Sequence, residues 1–558
     1  MTKNADTAKR RDTTKPKDRV PIFEKISYGI GLASDHFATV SISAFLMAFF
    51  TDFLNAGVKA TIVGAAIAVA RLWDAFTDPA AGRISDGCRS RWGRRRPFIL
   101  VGSVSMGLFF PLIWMVPETW STVAINTWLF VSVIIFYTLY SIFSVPYEAL
   151  GAELTPDYRE RTSIFVVRTY VQQVYTLFLY WMMPIAMALA TLPHVGGEVG
   201  GVRRVSWFIG GVIIVAGLFP SLFCRERYKD IAEKEVEKNK VSFAETCKTM
   251  LKNKPLLIVI GTICFYLFSI MLSMNLAYFV NTYYVFGGDT LQGATLGAID
   301  GTFRIVIAVG AAFVIKQLAD RIDKHKLLIG CVVILMVGFA GTYFTTLPGR
   351  PWLTLTFKPF IAIGEVGFWV LVMSLRADVC DWDEYNSGTR NEGMIAAITN
   401  WVNKIAITLA LALSGVMLDH VIRFDSFLDN DAKAAIEQQA EAEWNALPEG
   451  EKRIPVEKTY ASTGDVVKDI GGQILKFGAK EEVAGVTLDD YKKNLEQMEI
   501  MKINDSGVMQ RLRVFYTLPQ VIALIICFFI LLRYPLDSNR MAEIREELER
   551  RRGETSHS

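Results

Sequence analysis

Charged residues stand in this chain where hydrocarbon is expected. The stretch Ala70–Pro79, ARLWDAFTDP, lies inside an apolar run yet holds Arg71, Asp74 and Asp78. Steps of three and four residues put all three on one face of a helix. Each charge in hydrocarbon costs roughly 2.5–3.5 kcal/mol. The face must therefore look inward, to its own partners or to water. Two carboxylates beside a guanidinium can take up and release a proton or a small cation. The alternative is a purely structural Arg–Asp pair.

Other polar groups interrupt the apolar runs. Asp35 and His36 in GLASDHFATV can exchange hydrogen bonds with hydroxyl groups of a ligand. Being adjacent, they point to different sides of a helix. Ser141 and Ser144 offer neutral oxygens near Pro146, which breaks a helical hydrogen-bond ladder. Arg168 carries five donors that suit an acidic or polyhydroxyl ligand, or a salt bridge to Asp74 or Asp78. Asp300 and Arg304 are spaced i, i+4 and are expected to pair with each other. Trp369 can stack on the apolar side of a pyranose or serve as a core residue. Lys404, in TNWVNKIAIT, lies too deep to snorkel, so its ammonium needs a carboxylate or a ligand. Glu148 and Glu153 are expected nearer the surface.

The elements that must hold these groups are membrane helices. The chain has 558 residues, of which 52% are hydrophobic, and a mean hydropathy of +0.30. Its apolar residues gather into runs of about 20, the length that crosses a bilayer. Twelve runs are expected near residues 25–51, 60–83, 97–116, 122–147, 163–190, 205–223, 255–285, 292–317, 327–346, 353–376, 393–419 and 512–533. The architecture is all-α, with twelve transmembrane helices in two six-helix halves. Arg/Lys-rich loops such as RSRWGRRR, DYRER, RERYK and DRIDKHK follow even-numbered runs, which predicts cytosolic termini. The organisation is a cytosolic tail (1–24), a first half (25–223), a cytosolic linker (224–254), helices seven to eleven (255–420), an extracytoplasmic insertion (421–510), a twelfth helix (511–534) and a cytosolic tail (535–558). Within the insertion, AKAAIEQQAEAEWNAL and LDDYKKNLEQMEIMK read as amphipathic helices.

The halves echo one another. Basic GRISDGCRSRWGRRR follows the second run and ADRIDKHK the eighth; AELTPDYRERT follows the fourth and ADVCDWDEY the tenth. Such a parallel repeat describes the major facilitator architecture. At the loop ends, Arg159, Arg161 and Arg390 are expected to face Asp378, Asp381 and Asp383 across the halves, as a gate. Seven scattered cysteines without CxxC suggest neither a disulfide frame nor a metal cluster. No nucleophile–base or metal-ligand arrangement argues for an enzyme, and no cofactor is expected.

KISYGIG (25–31), ARLWDAFTDPAAGRISD (70–86), RSRWGRRRPFIL (89–100), VPYEALGAELTPDYRERT (145–162) and ADVCDWDEYNSGTRNEGM (377–394) together resemble the glycoside–pentoside–hexuronide:cation symporters, the melibiose permease family. The resemblance implies the major facilitator fold in a cytoplasmic membrane and uptake of a sugar, glycoside or uronide coupled to H⁺ or Na⁺. It places the cation at Asp74, Thr77, Asp78 and Ser144, with Asp74 and Asp78 as metal ligands if Na⁺ is the ion. Thr77 stands where the family often has Asn, and Ser144 where it has an acid. Both departures remove strong ligands, which favours H⁺. The sugar falls near Asp35, His36, Arg168, Trp369 and Lys404, and the gate on Arg161, Asp378, Asp381 and Arg390. An acidic sugar would draw on Arg168 and Lys404. The expected partners are a sugar, a cation and the bilayer, with no nucleic acid and a monomeric unit. Rival readings are a lysolipid carrier of the same fold and a transporter-like sugar sensor.

Overall fold

The computed structural model describes residues 19–54, 56–117, 119–155, 158–226, 253–319, 321–388, 392–423, 430–446 and 507–555. Twelve of its helices are long and apolar enough to cross a membrane, and the described residues contain no strand. We number them α1 (Ile22–Phe53), α2 (Ala60–Gly87), α3 (Arg96–Trp114), α4 (Thr122–Glu153), α5 (Tyr158–Tyr180, continued by Met182–Ala190) and α6 (Gly197–Phe223). The second half comprises α7 (Lys254–Val285), α8 (Thr290–Ala319), α9 (Lys324–Thr345), α10 (Pro351–Ser387), α11 (Glu392–Ile422) and α12 (Gly507–Leu531). Two further helices lie outside the spans: Asn430–Ala446 in the insertion and Ser538–Thr555 in the tail. The second amphipathic segment expected in the insertion (488–502) and the linker (227–252) lie outside the described residues.

Local chemistry sets the helix ends. Ser121 accepts from the Ala124 amide to cap α4, and Asn253 accepts from Leu256 to cap α7. Proline stands in the first turn of α3, α7 and α10, where no helical donor is lost. Pro79 and Pro146 instead sit inside α2 and α4 and interrupt their ladders.

The repeat read from the loops is a repeat of packing. In the first half α1 packs on α6, α2 and α3 on α4, α3 on α6, and α1 on α5. Adding six to each number gives the chief packing partners of the second half. The halves meet through α2 against α11 and α5 against α8, a pairing that the same operation maps onto itself.

The two ends of the bundle differ. We call the end holding the arginine-rich loops the Arg-rich end. At the opposite, far end the apolar core is continuous across the halves: Leu276, Phe279, Val280, Tyr283, Leu296, Leu411, Leu418 and Tyr516 join the core of the first half. A second core holds residues of the second half alone, including the tail helix. The bundle is therefore closed at the far end and parted at the Arg-rich end.

Each half is clasped within itself at the Arg-rich end. In the first, Glu153 at the end of α4 meets Arg94 (2.6 Å) and Arg95 (3.2 Å) of the α2–α3 loop. Glu226 accepts from the amides of Arg94, Arg95 and Arg96, at the α3 N-terminus, where a helix favours negative charge. The equivalent in the second half is Lys324 on Asp378 (2.9 Å), with Arg545 of the tail helix adding 2.6 Å to Asp378 and 3.5 Å to Asp381. In this conformation Asp378 and Asp381 therefore pair with Lys324 and Arg545, not with the arginines of the other half as expected. Arg161 donates to the carbonyl of Thr155 in its own half, and Arg390 lies outside the described residues.

Candidate functional site

Three polar groupings lie along the first half at membrane depth. The first is built on α2. Asp74 is fully buried, and neither of its carboxylate oxygens has a hydrogen-bond partner. Arg71 stands one turn away with its Nη1 at 3.6 Å, and its guanidinium lies 4.5 Å from the ring centre of Tyr137. The cation is therefore shared between a carboxylate and an aromatic face. A buried carboxylate without hydrogen bonds is expensive. The groups that relieve it are a proton, a water or a small cation.

The second grouping lies one turn further along α2. Asp78 accepts from Ser141 Oγ of α4 at 2.7 Å, and Ser141 in turn bonds Thr77 Oγ1 at 2.9 Å. Its other oxygen pairs with Lys404 of α11. The α4 hydroxyl on the carboxylate is thus Ser141, while Ser144 is buried about a turn beyond it. Pro79 follows directly and frees the carbonyl of Ala75 from the helix ladder. Lys404 is the partner that its depth demanded, and it comes from the other half.

The third joins α1, α4 and α5. Arg168 makes a forked pair with Glu148: Nη2 donates to Oε1 at 2.6 Å and Nη1 to Oε2 at 3.2 Å. Its guanidinium lies 5.6 Å from the rings of Tyr28, Tyr147 and Phe165. Arg168 thus meets neither Asp74 nor Asp78, and Glu148 is part of the site rather than of the Arg-rich surface. His36 Nδ1 and Tyr175 Oη hydrogen-bond at 3.0 Å. Asp35 lies against Tyr140 of α4.

The second half holds a different charge pattern. Asp300 does not pair with Arg304: it accepts from Lys358 of α10 at 2.9 Å, and Arg304 pairs with Glu365 of α10. Helix packing brings a carboxylate and an ammonium closer than one helical turn does. Trp369, a turn past Glu365, packs edge-on against Tyr266 of α7 at 5.7 Å. In this conformation it belongs to the second-half core rather than to the Arg168 grouping.

Sequence reading missed the far-end contacts. The hydroxyls of Tyr278 and Tyr283 of α7 donate to Asp52 of α1 at 2.7 and 2.5 Å. Asp419 of α11 accepts from the amides of Ala60 (3.1 Å) and Thr61 (2.6 Å), the first residues of α2. No side chain of its own segment caps α2, so the other half supplies the cap. A Cβ on Gly415 would fall 2.3 Å from the Ala60 carbonyl, so only glycine permits this approach. Both aspartates sit in wide turns at helix ends, for which periodicity carries no signal.

A fold of two clasped six-helix halves with charges facing an inner gap is that of a membrane transporter. Over residues 27–443 the chain matches the model of the MFS/sugar transport protein family, and it belongs to that family. It is 26% identical over 412 residues to the isoprimeverose transporter of Lactiplantibacillus pentosus, covering 72% of this chain and 81% of that one. It is 23% identical over 404 residues to the glucuronide carrier protein homolog of Escherichia coli (strain K12), covering 71% and 84%. A solved D-xylose–proton symporter shares the fold at a TM-score of 0.50 and 15% identity, covering 71% of this chain and 91% of its own.

Proposed function

We propose that this chain is a cation-coupled sugar symporter of a cytoplasmic membrane, working by alternating access, with the Arg-rich end in the cytosol. The side assignment rests on the loop arginines. The observation that carries the coupling is Asp74: a fully buried carboxylate whose oxygens lack hydrogen-bond partners, four residues from a second carboxylate whose cation partner belongs to the opposite half. Asp74 and Asp78 take the coupling ion, with Thr77 and Ser141 supplying hydroxyl oxygen. A cation or proton arriving at Asp78 competes with Lys404 for the same oxygen. Once displaced, Lys404 is free to donate to a sugar hydroxyl. Ion and sugar then favour each other because one ammonium serves both sites. Sugar occupies the gap bounded by His36, Arg168 and Lys404. Asp378 and Asp381 exchange partners when the Arg-rich end closes.

A lysolipid carrier would line this gap with apolar groups. Lys404 and Glu148, exposed by 37% and 56% of their side chains, are the reverse. Uptake of a labelled glycoside into proteoliposomes, with and without an imposed H⁺ or Na⁺ gradient, tests the proposal. Accumulation above equilibrium is expected under one gradient. Saturable binding with no accumulation under either would favour a sensor and sink the coupling mechanism.

A further inference from the structure

The second polar pair facing the gap states what kind of sugar the site accepts, on the reading that the gap is a sugar site. Arg168 is pressed against Tyr28, Tyr147 and Phe165 and keeps only 15% of its side chain exposed. Glu148, which it grips at both oxygens, keeps 56% exposed. The cation is therefore held in the wall while the carboxylate is the exposed partner. A ligand arriving there meets negative charge first. Lys404, though 37% of its side chain is exposed, is paired with Asp78, and Arg71, Arg304 and Lys358 each stand against a carboxylate.

A hexuronide would bring a carboxylate to a wall whose cations are already matched. It would have to displace Glu148 from a forked, charge-assisted pair, the geometry that binds guanidinium best. An uncharged sugar needs no displacement. A diol can donate two O–H groups to the outward lone pairs of Glu148, since a carboxylate has about four acceptor sites and Arg168 uses two. Like charge against the wrong substrate and hydrogen bonds toward the right one are the two halves of selectivity.

We propose that Glu148 is a substrate-selecting residue, which sets this transporter for an uncharged glycoside and against a hexuronide. The Arg168–Glu148 pair holds the carboxylate in place. Neutralising Glu148 leaves Arg168 as an uncompensated cation in the wall and turns the site toward acidic sugars.

The test is gradient-driven uptake by the full chain in proteoliposomes of matched pairs: p-nitrophenyl glucosides, galactosides and xylosides against p-nitrophenyl glucuronides and galacturonides. The wild type is expected to accumulate at least one neutral glycoside, and the uronides to compete poorly. In Glu148→Gln the ratio of uronide to neutral uptake is expected to rise by about tenfold, the scale of removing a like-charge contact. Wild-type uptake of a uronide equal to or above that of its neutral match would overturn the inference while leaving sugar symport intact. Uptake of neither class under any gradient would overturn both. An unchanged ratio in folded Glu148→Gln would overturn the role of Glu148, and where that variant fails to fold the same comparison is made with Glu148→Ala.

Discussion

The two halves share one packing plan but handle buried charge in opposite ways. In the second half, Asp300 faces Lys358 and Arg304 faces Glu365, all on α8 and α10 of the same half. In the first, Asp74 has an arginine at 3.6 Å and no hydrogen bond, and Asp78 borrows its cation from α11. Charges matched within one rigid unit hold that unit together. Charges left short, or matched across the moving boundary, are the ones a transport cycle can use.

The largest test of this contrast is Asp78→Asn. It is expected to abolish accumulation above equilibrium, with the folded protein retained. Normal concentrative uptake by that variant would place coupling elsewhere. Asp300→Asn should do the reverse. It strands the buried Lys358 ammonium, a change that costs about 3–5 kcal/mol. A lowered thermal midpoint in detergent is expected, partly recovered by adding Lys358→Met. If Asp300→Asn is stable but inactive, the second-half charges belong to the mechanism and the contrast fails.

Asp419→Ala removes the cap that α11 lends to α2 and should weaken far-end closure by about 1 kcal/mol. The closed-to-open ratio would change roughly fivefold, read by labelling a cysteine placed beside Ala60. The smallest effect concerns the tail helix. Hydrogen bonds from Lys326 and Ser538 hold Asp323 down to about 2, and Arg550 and Arg551 do the same for Glu547. A depressed carboxylate stabilises the fold above its ordinary pKa, and that contribution is lost as pH falls through the depressed value. Docking of the tail through Ser538 on Asp323, and the helicity of the tail through Glu547, should thus hold from pH 8 to about pH 5 and loosen toward pH 2. Protease protection of the tail across that range checks it.

The fold was legible because span length and loop charge are one-dimensional signals. Asp74, Asp78 and Lys404 were legible because hydrocarbon makes each of them conspicuous. Pairing between helices was not. Asp300 and Arg304 satisfy the i, i+4 rule, yet α10 offers each a closer partner. Glu148 and Arg168 lie on separate helices twenty residues apart, and nothing in either segment announces that they meet. From sequence alone the repeated acidic and basic loops suggest a lock between halves, because charge pattern shows that opposite signs recur but not which copies touch. They are clasps within each half.

One helix carries a last consequence. Between Ala60, fixed by Asp419, and Asp78, bound to Lys404, α2 runs unbroken by proline for roughly 27 Å. Both attachments are to α11, one at the far end and one at Lys404. A rod pinned twice to the same partner cannot swing while both pins hold. Any change that loosens the Asp78–Lys404 contact therefore changes the lifetime of the outer one, with no chain of side chains needed to carry the message. Pro79, just past the inner pin, lets the remainder of α2 bend without disturbing that stiffness.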